Sequence, residues 1–214
     1  MNSLKKAVTA SLMLAVMPVA AHAEDMSYRY FQLGYISTDL PSSGDPLVDF
    51  DNSATGFASR GSFGFANNFF VFTELNMQDF DATDTETSTK VDFDLDQTNI
   101  GLGGHYPLSD NLDLVGRAGW SKIKVKGSAL GVSESIDDTG YIAAAGLRGQ
   151  IGDNFEIEGN VIHQDYGSGA NDFGSDTGGE VLVRFKFNKR WALAGEYQDI
   201  GDFSSYIIGV RASF

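Results

Sequence analysis

The sequence that decides the fold is the carboxy-terminal stretch GEVLVRFKFNKRWALAGEYQDIGDFSSYIIGVRASF, residues 179–214. Apolar residues recur at every second position, so that Val181, Val183 and Phe185 share one face of an extended segment. Arg184 falls on the opposite face of the same segment. Because successive side chains of a β-strand point to opposite sides, this alternation predicts strands with one apolar and one polar face.

The same alternation recurs throughout the chain upstream of this stretch. Glycine is frequent, at 25 residues, and each glycine inside a segment would cost an α-helix about 1 kcal/mol, so the composition favours strands. Proline is rare, at 4 residues, which also suits long strands. We predict ten strands, at roughly 28–38, 55–66, 69–79, 92–106, 112–126, 139–151, 155–166, 179–188, 191–200 and 205–214.

The predicted connections alternate in length along the chain. The short ones are Asn67-Asn68, Pro107 to Asn111, Gly152 to Asn154 and Asn188 to Arg190. The long ones are Asp39 to Ala54, Phe80 to Val91, Gly127 to Asp138 and Gly167 to Gly178, and only the brief last link, Gly201 to Ser204, breaks the series. Short turns on one rim, long loops on the other and an even strand count are typical of outer-membrane barrels. We therefore predict an all-β, transmembrane, antiparallel up-and-down β-barrel of ten strands, with eight strands as the alternative.

The first 23 residues have the anatomy of a secretory signal peptide. Lys5 and Lys6 precede an apolar stretch from Ala7 to Ala21, and Ala21-His22-Ala23 is a cleavage site of the A-x-A type. The apolar stretch is too short to cross a bilayer as a helix, which argues against a retained anchor. The prediction is a signal peptide over 1–23 and one barrel domain over 24–214.

Charge and cysteine content exclude several classes of function. The net charge of −14 argues against nucleic-acid binding, because such binding depends on neutralising phosphates with basic side chains. The absence of cysteine removes disulfides and thiolate metal sites. No nucleophile, zinc or phosphate-binding motif is present, and His163 with Asp165 is the only candidate catalytic pair. We predict no enzyme, no cofactor and no resident metal.

Three stretches resemble a known family. Phe31 to Tyr35, Phe72 to Leu75 and Gly103 to Leu114 are similar to strands of the small outer-membrane barrels, the OmpA transmembrane domain and the opacity-type porins. The resemblance implies an outer-membrane location and a porin-like class. It departs from OmpA in strand number, since that barrel has eight strands, and in lacking a peptidoglycan-binding domain, so a tether to the cell wall is not expected.

The last strand carries a second resemblance. Its alternating apolar positions and final aromatic residue look like the carboxy-terminal signal that the barrel-insertion machinery reads during assembly. The alternative is simply a final lipid-facing strand, and both can hold. The predicted assembly-signal residues are Tyr206, Ile208, Val210, Ala212 and Phe214.

If the apolar faces look into lipid, the polar faces look into the lumen. Charged residues of both signs then share the interior, where isolated charges would be very costly, so a paired network is predicted. Its members are Arg60, Glu74, Arg117, Arg148, Glu158, Arg184, Glu196 and Arg211, with Lys186, Asp113 and Glu156 on the same faces. Arg148 and Glu158 should couple, since their strands adjoin through a tight turn. Structural ion pairs are favoured over a conducting filter, and a narrow or gated passage stays open as an alternative.

The long loops are acidic. They could attract cations, bridge to lipopolysaccharide through divalent ions, or act as an adhesin surface, with simple solvation as the plainest alternative. Function is therefore either a small porin-like barrel, giving a narrow passage or membrane integrity, or a surface interaction barrel. A closed barrel need not associate, so a monomer is expected. The loop acids are Asp39, Asp45, Asp49, Asp51, Asp79, Asp81, Asp84, Glu86, Asp92, Asp94, Asp96, Glu134, Asp137, Asp138, Asp165, Asp172 and Asp176.

Overall fold

The fold is all-β in a computed structural model that describes residues 26–41, 48–84, 89–167 and 173–214. The proposed signal peptide, residues 1–23, lies outside the described residues, as do Asp45, Glu86, Asp172 and the side chains of Asp49 and Asp84. The strands are β1 (Tyr30–Asp39), β2 (Val48–Phe50), β3 (Ser53–Ala66), β4 (Phe69–Asp84), β5 (Lys90–Ser109), β6 (Leu112–Ala129), β7 (Val132–Ile151), β8 (Phe155–Asp165), β9 (Ser175–Lys186), β10 (Trp191–Ile200) and β11 (Phe203–Ser213).

Ten of these strands close into an antiparallel barrel. Each strand pairs with its neighbours in chain order, and closure comes from β1 pairing with β11, Leu33 opposite Val210. The short β2 pairs with the outer end of β4, on the same edge that β3 pairs with nearer the periplasm. It therefore does not count as a separate strand of the barrel. The ten-strand barrel predicted from the sequence is therefore confirmed, and the eight-strand alternative is wrong.

Two of the predicted long loops are wrong. Strand β4 continues to Asp84 and β5 begins at Lys90, so most of the expected loop from Phe80 to Val91 is paired strand. Strands β6 and β7 are joined by a two-residue turn, in which Leu130 and Gly131 have positive φ angles of 49° and 84°. Positive φ at both central residues gives a turn whose twist matches a continuous hairpin, so pairing runs to its tip.

The outward face of the barrel wall is apolar. Leu102, Leu147 and Ile208 are 60%, 47% and 60% exposed, whereas inward residues such as Glu74 and Arg148 are buried. Aromatic side chains are exposed near both ends of the barrel, as in the girdles that outer-membrane barrels place at the two lipid–water interfaces. They are Phe69, Tyr106, Phe155 and Trp191 near the short turns, and Tyr35, Trp120, Tyr141, Tyr197 and Tyr206 toward the other end.

The two ends of the barrel differ in their connections. The end with the short turns also carries Phe214 and the segment before β1, and we assign it to the periplasm because outer-membrane barrels have short periplasmic turns. At the other end four strands continue as an outer extension, residues 80–84, 90–97, 122–129 and 132–139. Among the described residues there is no helix with the length and hydropathy needed to cross a membrane.

The outer extension reverses the polarity of the wall. Outward residues change from Leu114 and Trp120 to Lys122 and Lys124 along β6, all on one face of the strand. Inward residues change from Arg117 to apolar residues over the same length. The pairing of β6 with β7 shows no register shift from Leu112 to Ala129, so the faces keep their directions while their chemistry is exchanged.

Candidate functional site: the charged interior of the barrel

The middle of the lumen is crossed by ion pairs. Arg60 Nη2 donates to Glu196 Oε1 at 2.9 Å, which links β3 to β10. Arg117 donates from Nη1 to Glu74 Oε1 at 2.8 Å and from Nη2 to Glu180 Oε2 at 2.7 Å, which links β6 to β4 and β9. None of these strand pairs is adjacent in the wall, so the contacts run across the lumen rather than along its surface.

Neutral side chains join these ion pairs into a closed circuit, which we name the lumen ring. Gln198 Nε2 donates to Glu180 Oε1 at 2.7 Å and to Glu196 Oε1 at 3.0 Å. Asn99 Nδ2 donates to Glu74 Oε2 at 2.9 Å, and Ser121 Oγ donates to Asn99 Oδ1 at 2.6 Å. The remaining links are Ser121 to Tyr166 at 2.8 Å, Gln97 to Tyr166 at 2.9 Å, Asn76 to Gln97 at 3.1 Å and Arg60 to Asn76 at 2.7 Å.

A second group of charges, the lower cluster, lies on the periplasmic side of the ring. Arg148 donates from Nε and Nη2 to Glu156 Oε2 at 3.1 and 2.7 Å. Arg184 reaches both neighbouring carboxylates, Glu156 Oε2 at 3.4 Å and Glu158 Oε2 at 2.8 Å. Lys186 Nζ lies 3.4 Å from Glu156 Oε1. The arrangement satisfies each acid with at least one basic partner.

Asn160 connects the two groups. Its Nδ2 donates to Glu180 Oε2 of the ring at 2.6 Å and to Glu158 Oε1 of the cluster at 3.1 Å. One hydrogen-bonded network therefore extends from Arg148 up to Tyr166. Its charged members are buried, apart from the partly buried Arg117 and Lys186, so each depends on its partners: an unpaired buried charge would cost several kcal/mol.

The ring and the cluster carry opposite surpluses of charge. The ring holds two guanidinium groups, Arg60 and Arg117, against three carboxylates, Glu74, Glu180 and Glu196. The cluster holds three bases against two acids, since Glu156 and Glu158 face Arg148, Arg184 and Lys186. A solute that crossed the lumen would therefore pass an excess of negative charge at the ring and an excess of positive charge at the lower cluster.

Arg211 lies apart from these ion pairs. Its Nε donates to Gln32 Oε1 at 3.1 Å, its guanidinium lies 3.5 Å from the centroid of the Tyr30 ring, and its buried Nη1 has no hydrogen-bond partner. The structure thus brings seven of the eight predicted lumen residues into one network, and Arg211 contacts an aromatic ring and an amide instead.

Arg148 and Glu158 belong to this network without forming a direct pair. Their Cα atoms are partners across β7 and β8, the neighbouring strands on which sequence reasoning placed them, yet the Arg148 guanidinium contacts Glu156, two residues along β8. A long side chain reaches its diagonal neighbour as readily as the residue opposite. The energetic coupling of Arg148 with Glu158 stays a prediction.

Several members of the network were missed by sequence reasoning. Glu180 was detectable, because it lies two and four residues before Leu182 and Arg184 on the inward face of β9. Asn160, Gln198 and Tyr166 carry no charge, so a search for ionic residues did not find them. Apolar side chains also fill part of the lumen, which a simple polar-inside pattern does not anticipate: Phe72, Val115, Ile142, Ala144 and Ile162 form a buried cluster.

The segment that precedes β1 packs inside the periplasmic end of the barrel. The Tyr28 ring stacks on His105 at 4.0 Å, and its hydroxyl donates to Asp113 Oδ2 at 2.7 Å. The Arg148 guanidinium lies 4.6 Å from the Tyr28 ring centroid and donates to the Ser27 carbonyl oxygen. Tyr28 therefore ties the start of the barrel to the lower cluster.

The other predicted residues lie on the outside of the wall. Tyr206, Ile208 and Val210 are exposed on β11, opposite Ser37, Tyr35 and Leu33 of β1. Ala212 faces Phe31, and the Phe214 amide donates to the Arg29 carbonyl oxygen at 3.0 Å. Their role as an assembly signal stays a prediction.

His163 has partners that do not form a catalytic arrangement. Its Nδ1 lies 2.9 Å from Thr177 Oγ1, and its Nε2 lies 3.3 Å from the Tyr141 hydroxyl. These neighbours come from the adjoining strands β9 and β7, on the outer side of the wall. In the part of the chain that the structure describes, no group of three or more His, Asp or Glu side chains is arranged to hold a metal ion.

The sequence model of the family described as outer membrane protein beta-barrel domain matches residues 7–179. No curated protein matches the chain significantly. Among solved structures, Ail, the attachment invasion locus protein of Yersinia pestis, is 19% identical over 88% of this chain and 100% of its own, with a TM-score of 0.43.

Two further solved structures superpose better. The transport unit of the autotransporter AIDA-I from Escherichia coli is 10% identical, with a TM-score of 0.53 over 100% of this chain and 98% of its own. The translocator domain of the autotransporter NalP from Neisseria meningitidis is 12% identical, with a TM-score of 0.53 over 100% of this chain and 97% of its own. At such identities the likeness concerns the fold alone.

Proposed function

From the premise that this chain belongs to the outer membrane protein beta-barrel domain family and lies in the outer membrane, we propose that it is a narrow passage whose resting state is closed by the lumen ring. The observation that carries this proposal is that Arg60 and Arg117 contact carboxylates on strands that are not their neighbours in the wall. Such contacts obstruct the lumen and can also be exchanged for others.

Balanced charge supports a gated passage over a permanently open one. A wide selective pore tolerates an excess of one sign along its lining, whereas the acids and bases here lie within hydrogen-bonding distance of each other. Buried atoms without partners, Arg60 Nε, Arg117 Nε and Glu196 Oε2, offer positions to which hydrogen bonds could shift. Opening would then be a rearrangement of side chains inside a rigid wall.

Glu180 gives the sharpest test, because it accepts from Arg117, Asn160 and Gln198 together. We expect purified wild-type protein in planar bilayers to be mostly closed and Glu180→Gln to pass more current. Losing a charge-assisted hydrogen bond, about 1.5–3 kcal/mol, would shift the closed–open equilibrium by about 10- to 100-fold. The measured quantity is the open probability in single-channel recordings.

Asp137→Asn is the matched control, since it makes the same carboxylate-to-amide change on the outer extension. It should leave the open probability unchanged. If neither wild type nor Glu180→Gln passes current, and heat-dependent gel migration shows that both are folded, the network only fills the lumen. The protein would then contribute to membrane integrity and not to passage. An open wild-type channel that Glu180→Gln does not alter would contradict the closing role.

A surface interaction function is the second candidate. It rests on the outward face of the outer extension, where Lys122 pairs with Asp137 and Lys126 Nζ lies 3.3 Å from Asp94 Oδ2. Such a face presents charges of both signs beyond the membrane, with further acids in the outer loops. Loss of cell adhesion after shortening the β6–β7 hairpin, with unchanged bilayer currents, would support this candidate.

The remaining proposals follow from the location in the outer membrane. We propose that residues 1–23 are removed on export, that the barrel-insertion machinery reads Tyr206 to Phe214, and that the folded barrel is a monomer in lipid. Lipopolysaccharide would contact the barrel, with divalent cations bridging its anionic groups to the acidic rim. We also propose that the chain has no enzymatic activity and no nucleic-acid partner, since His163 has no acid among its hydrogen-bond partners and the net charge is −14.

A further inference from the structure

A cavity of about 250 Å³ lies at the outer mouth of the barrel, above the lumen ring. We name it the outer vestibule. Its floor contains Gln97, Tyr166 and Gln198, which are members of the ring. Its walls are apolar and come from the outer parts of β4, β5, β6 and β10 and from the start of β11: Phe80, Leu95, Ile123, Val125, Ile200 and Phe203.

These apolar walls do not face lipid. Ile123 and Val125 lie on the inward face of β6, while the residues between and beside them, Lys122, Lys124 and Lys126, take the outward face. On β4 and β5, Phe80 stacks on Phe93 at 4.9 Å. Because wall polarity is reversed in the outer extension, its inward side chains enclose an apolar space although water surrounds the extension. Small-molecule pockets are usually apolar spaces of this kind.

One polar atom in this cavity has no partner. Gln78 is 4% exposed, lines the vestibule, and its Oε1 makes no hydrogen bond. A buried amide oxygen left without a donor costs about 1–3 kcal/mol, so a rotation of the Gln78 side chain that turned this oxygen toward a hydrogen-bond donor of a ligand in the cavity would be favourable. Gln78 also lies on the inward face of β4 between Asn76 and Phe80, at the boundary of polar floor and apolar wall.

The lining also limits the ligand's charge. Among the described residues that line the vestibule, Asp176 is the only charged one, and its side chain is exposed at the rim, against the Gly201 turn. An anion would meet that carboxylate, and a cation inside would lose its hydration without gaining a buried counter-charge, so both are disfavoured. The volume limits size, since benzene fills a cavity of about 150 Å³ and drug-sized ligands need about 300 Å³ or more.

We infer that the outer vestibule binds a small, uncharged amphipathic molecule, whose apolar body contacts Ile123, Val125 and Phe80 and whose hydroxyl or amide N–H donates to Gln78 Oε1. This function goes beyond passage through the lumen, because the vestibule lies outside the ring and binding needs no opening. The ligand enters from the outer face.

Phenylbutanol is a suitable probe, because it has an apolar body and one hydroxyl. Butylbenzene lacks the hydroxyl that donates the hydrogen bond. Phenylbutyrate and phenylbutylamine carry a negative and a positive charge in its place. The protein is methyl-labelled and placed in lipid nanodiscs, and the probe is titrated while methyl chemical shifts are recorded. We expect saturable shifts at Leu95, Ile123, Val125 and Ile200. Ile208 and Val210, which are exposed on the outer wall, report partition of the probe into lipid and should not saturate.

Two variants on one strand separate the vestibule from the surface. Ile123→Gln places an amide in the apolar wall and should weaken phenylbutanol binding about tenfold, because the apolar contact is lost. Lys124→Gln changes the adjacent, outward residue and should leave the affinity unchanged. Heat-dependent gel migration verifies that both variants are folded.

Gln78→Leu tests the hydrogen bond separately. It should remove most of the preference for phenylbutanol over butylbenzene, a ratio of about three- to tenfold for one neutral hydrogen bond, while hydrocarbon binding is kept. Equal shifts at vestibule and outer-wall methyls, no effect of Ile123→Gln, or binding of phenylbutyrate or phenylbutylamine as tight as that of the alcohol would each overturn the inference. None of these readouts depends on channel opening, so they stand apart from the test of the lumen ring.

Discussion

The membrane-embedded wall and the outer extension are built from the same strands but have opposite polarity. Within the wall, β6 turns Leu114 and Trp120 outward and Arg117 inward. In the extension, the same strand turns Lys122 and Lys124 outward and Ile123 inward, with no shift in its pairing with β7. The backbone is continuous, so only the surrounding medium differs.

This difference teaches that alternation defines the two faces of a strand, whereas the medium decides which face is apolar. Lipid outside the wall favours apolar outward residues and leaves charges to pair inside. Water outside the extension favours lysine and aspartate there, and the apolar side chains then gather over the mouth of the barrel. Four predictions test where this boundary lies and how strongly each region depends on its charges.

The largest expected effect comes from removing a buried guanidinium. Arg117→Ala leaves Glu74 and Glu180 without their shared basic partner and should lower the free energy of unfolding by about 3–5 kcal/mol. Lys126→Ala removes the exposed pair with Asp94 in the outer extension and should change it by about 0–1 kcal/mol. Urea titrations in lipid vesicles, followed by tryptophan fluorescence, measure both. Similar losses would mean that the lumen charges are hydrated.

A charge placed on the outward face locates the boundary itself. Leu102→Lys puts an ammonium where lipid is expected and should cost about 2–4 kcal/mol, the range for the middle of a bilayer. Thr98 lies four residues from Leu102 on the same face of β5, toward the extension. Thr98→Lys should lower the free energy of unfolding by only about 0–1 kcal/mol. The same vesicle titrations apply. Equal costs at the two positions would contradict the placement of the outer lipid–water interface near Thr98, where the extension begins.

Double-mutant cycles rank the partners of Arg148. With Arg148→Met, Glu156→Gln and Glu158→Gln, we expect a coupling energy of about 1.5–3 kcal/mol for Arg148 with Glu156, because their atoms lie 2.7 Å apart. Coupling of Arg148 with Glu158 should be about 0.5 kcal/mol, transmitted through Arg184. A larger coupling energy for Glu158 than for Glu156 would indicate that Arg148 forms its ion pair with Glu158, the residue directly opposite it on β8.

The smallest effect concerns the exposed pair in the extension. The hydrogen bond from Lys122 holds the pKa of Asp137 below its ordinary value. A carboxylate with a lowered folded-state pKa stabilises the hairpin above its unfolded-state pKa, and this contribution is lost as the pH falls through the folded-state value. An NMR titration of the Asp137 carboxyl should show the lowered midpoint, and Lys122→Gln should raise it. An unchanged midpoint in that variant would mean that Lys122 does not contact Asp137 in solution.

Much of the barrel could be predicted because its signal is local. The strand at 191–200 was predicted with its observed bounds, Trp191 to Ile200, since alternation and flanking turn residues define it. Two strands of the extension were cut short, β4 at 79 instead of 84 and β7 at 139 instead of 132, because the apolar residues change faces near those positions. An exchange of polarity without a change of period is a strand crossing from one medium into another.

The partners inside the lumen could not be predicted in the same way. Sequence reasoning placed Arg60 and Glu196 on inward faces, but nothing local indicates that β3 and β10 approach across the barrel. It also placed Tyr28 at the start of the first strand and missed its contacts with Asp113 and His105 inside the barrel. Such contacts depend on closure, on strand number and on the length of each side chain.

By itself, therefore, the amino-acid sequence determined the strands, their two faces and the even count that returns both ends of the barrel to one side, because side-chain alternation is a property of each strand alone. Only the tertiary structure decided that Arg117 bridges Glu74 and Glu180, that Arg211 lies on Tyr30, and that Ile123 and Phe80 enclose an apolar vestibule beside Gln78. The physical reason is that closure brings together residues from distant strands, and pairing among buried charges is set by distances that no single strand contains.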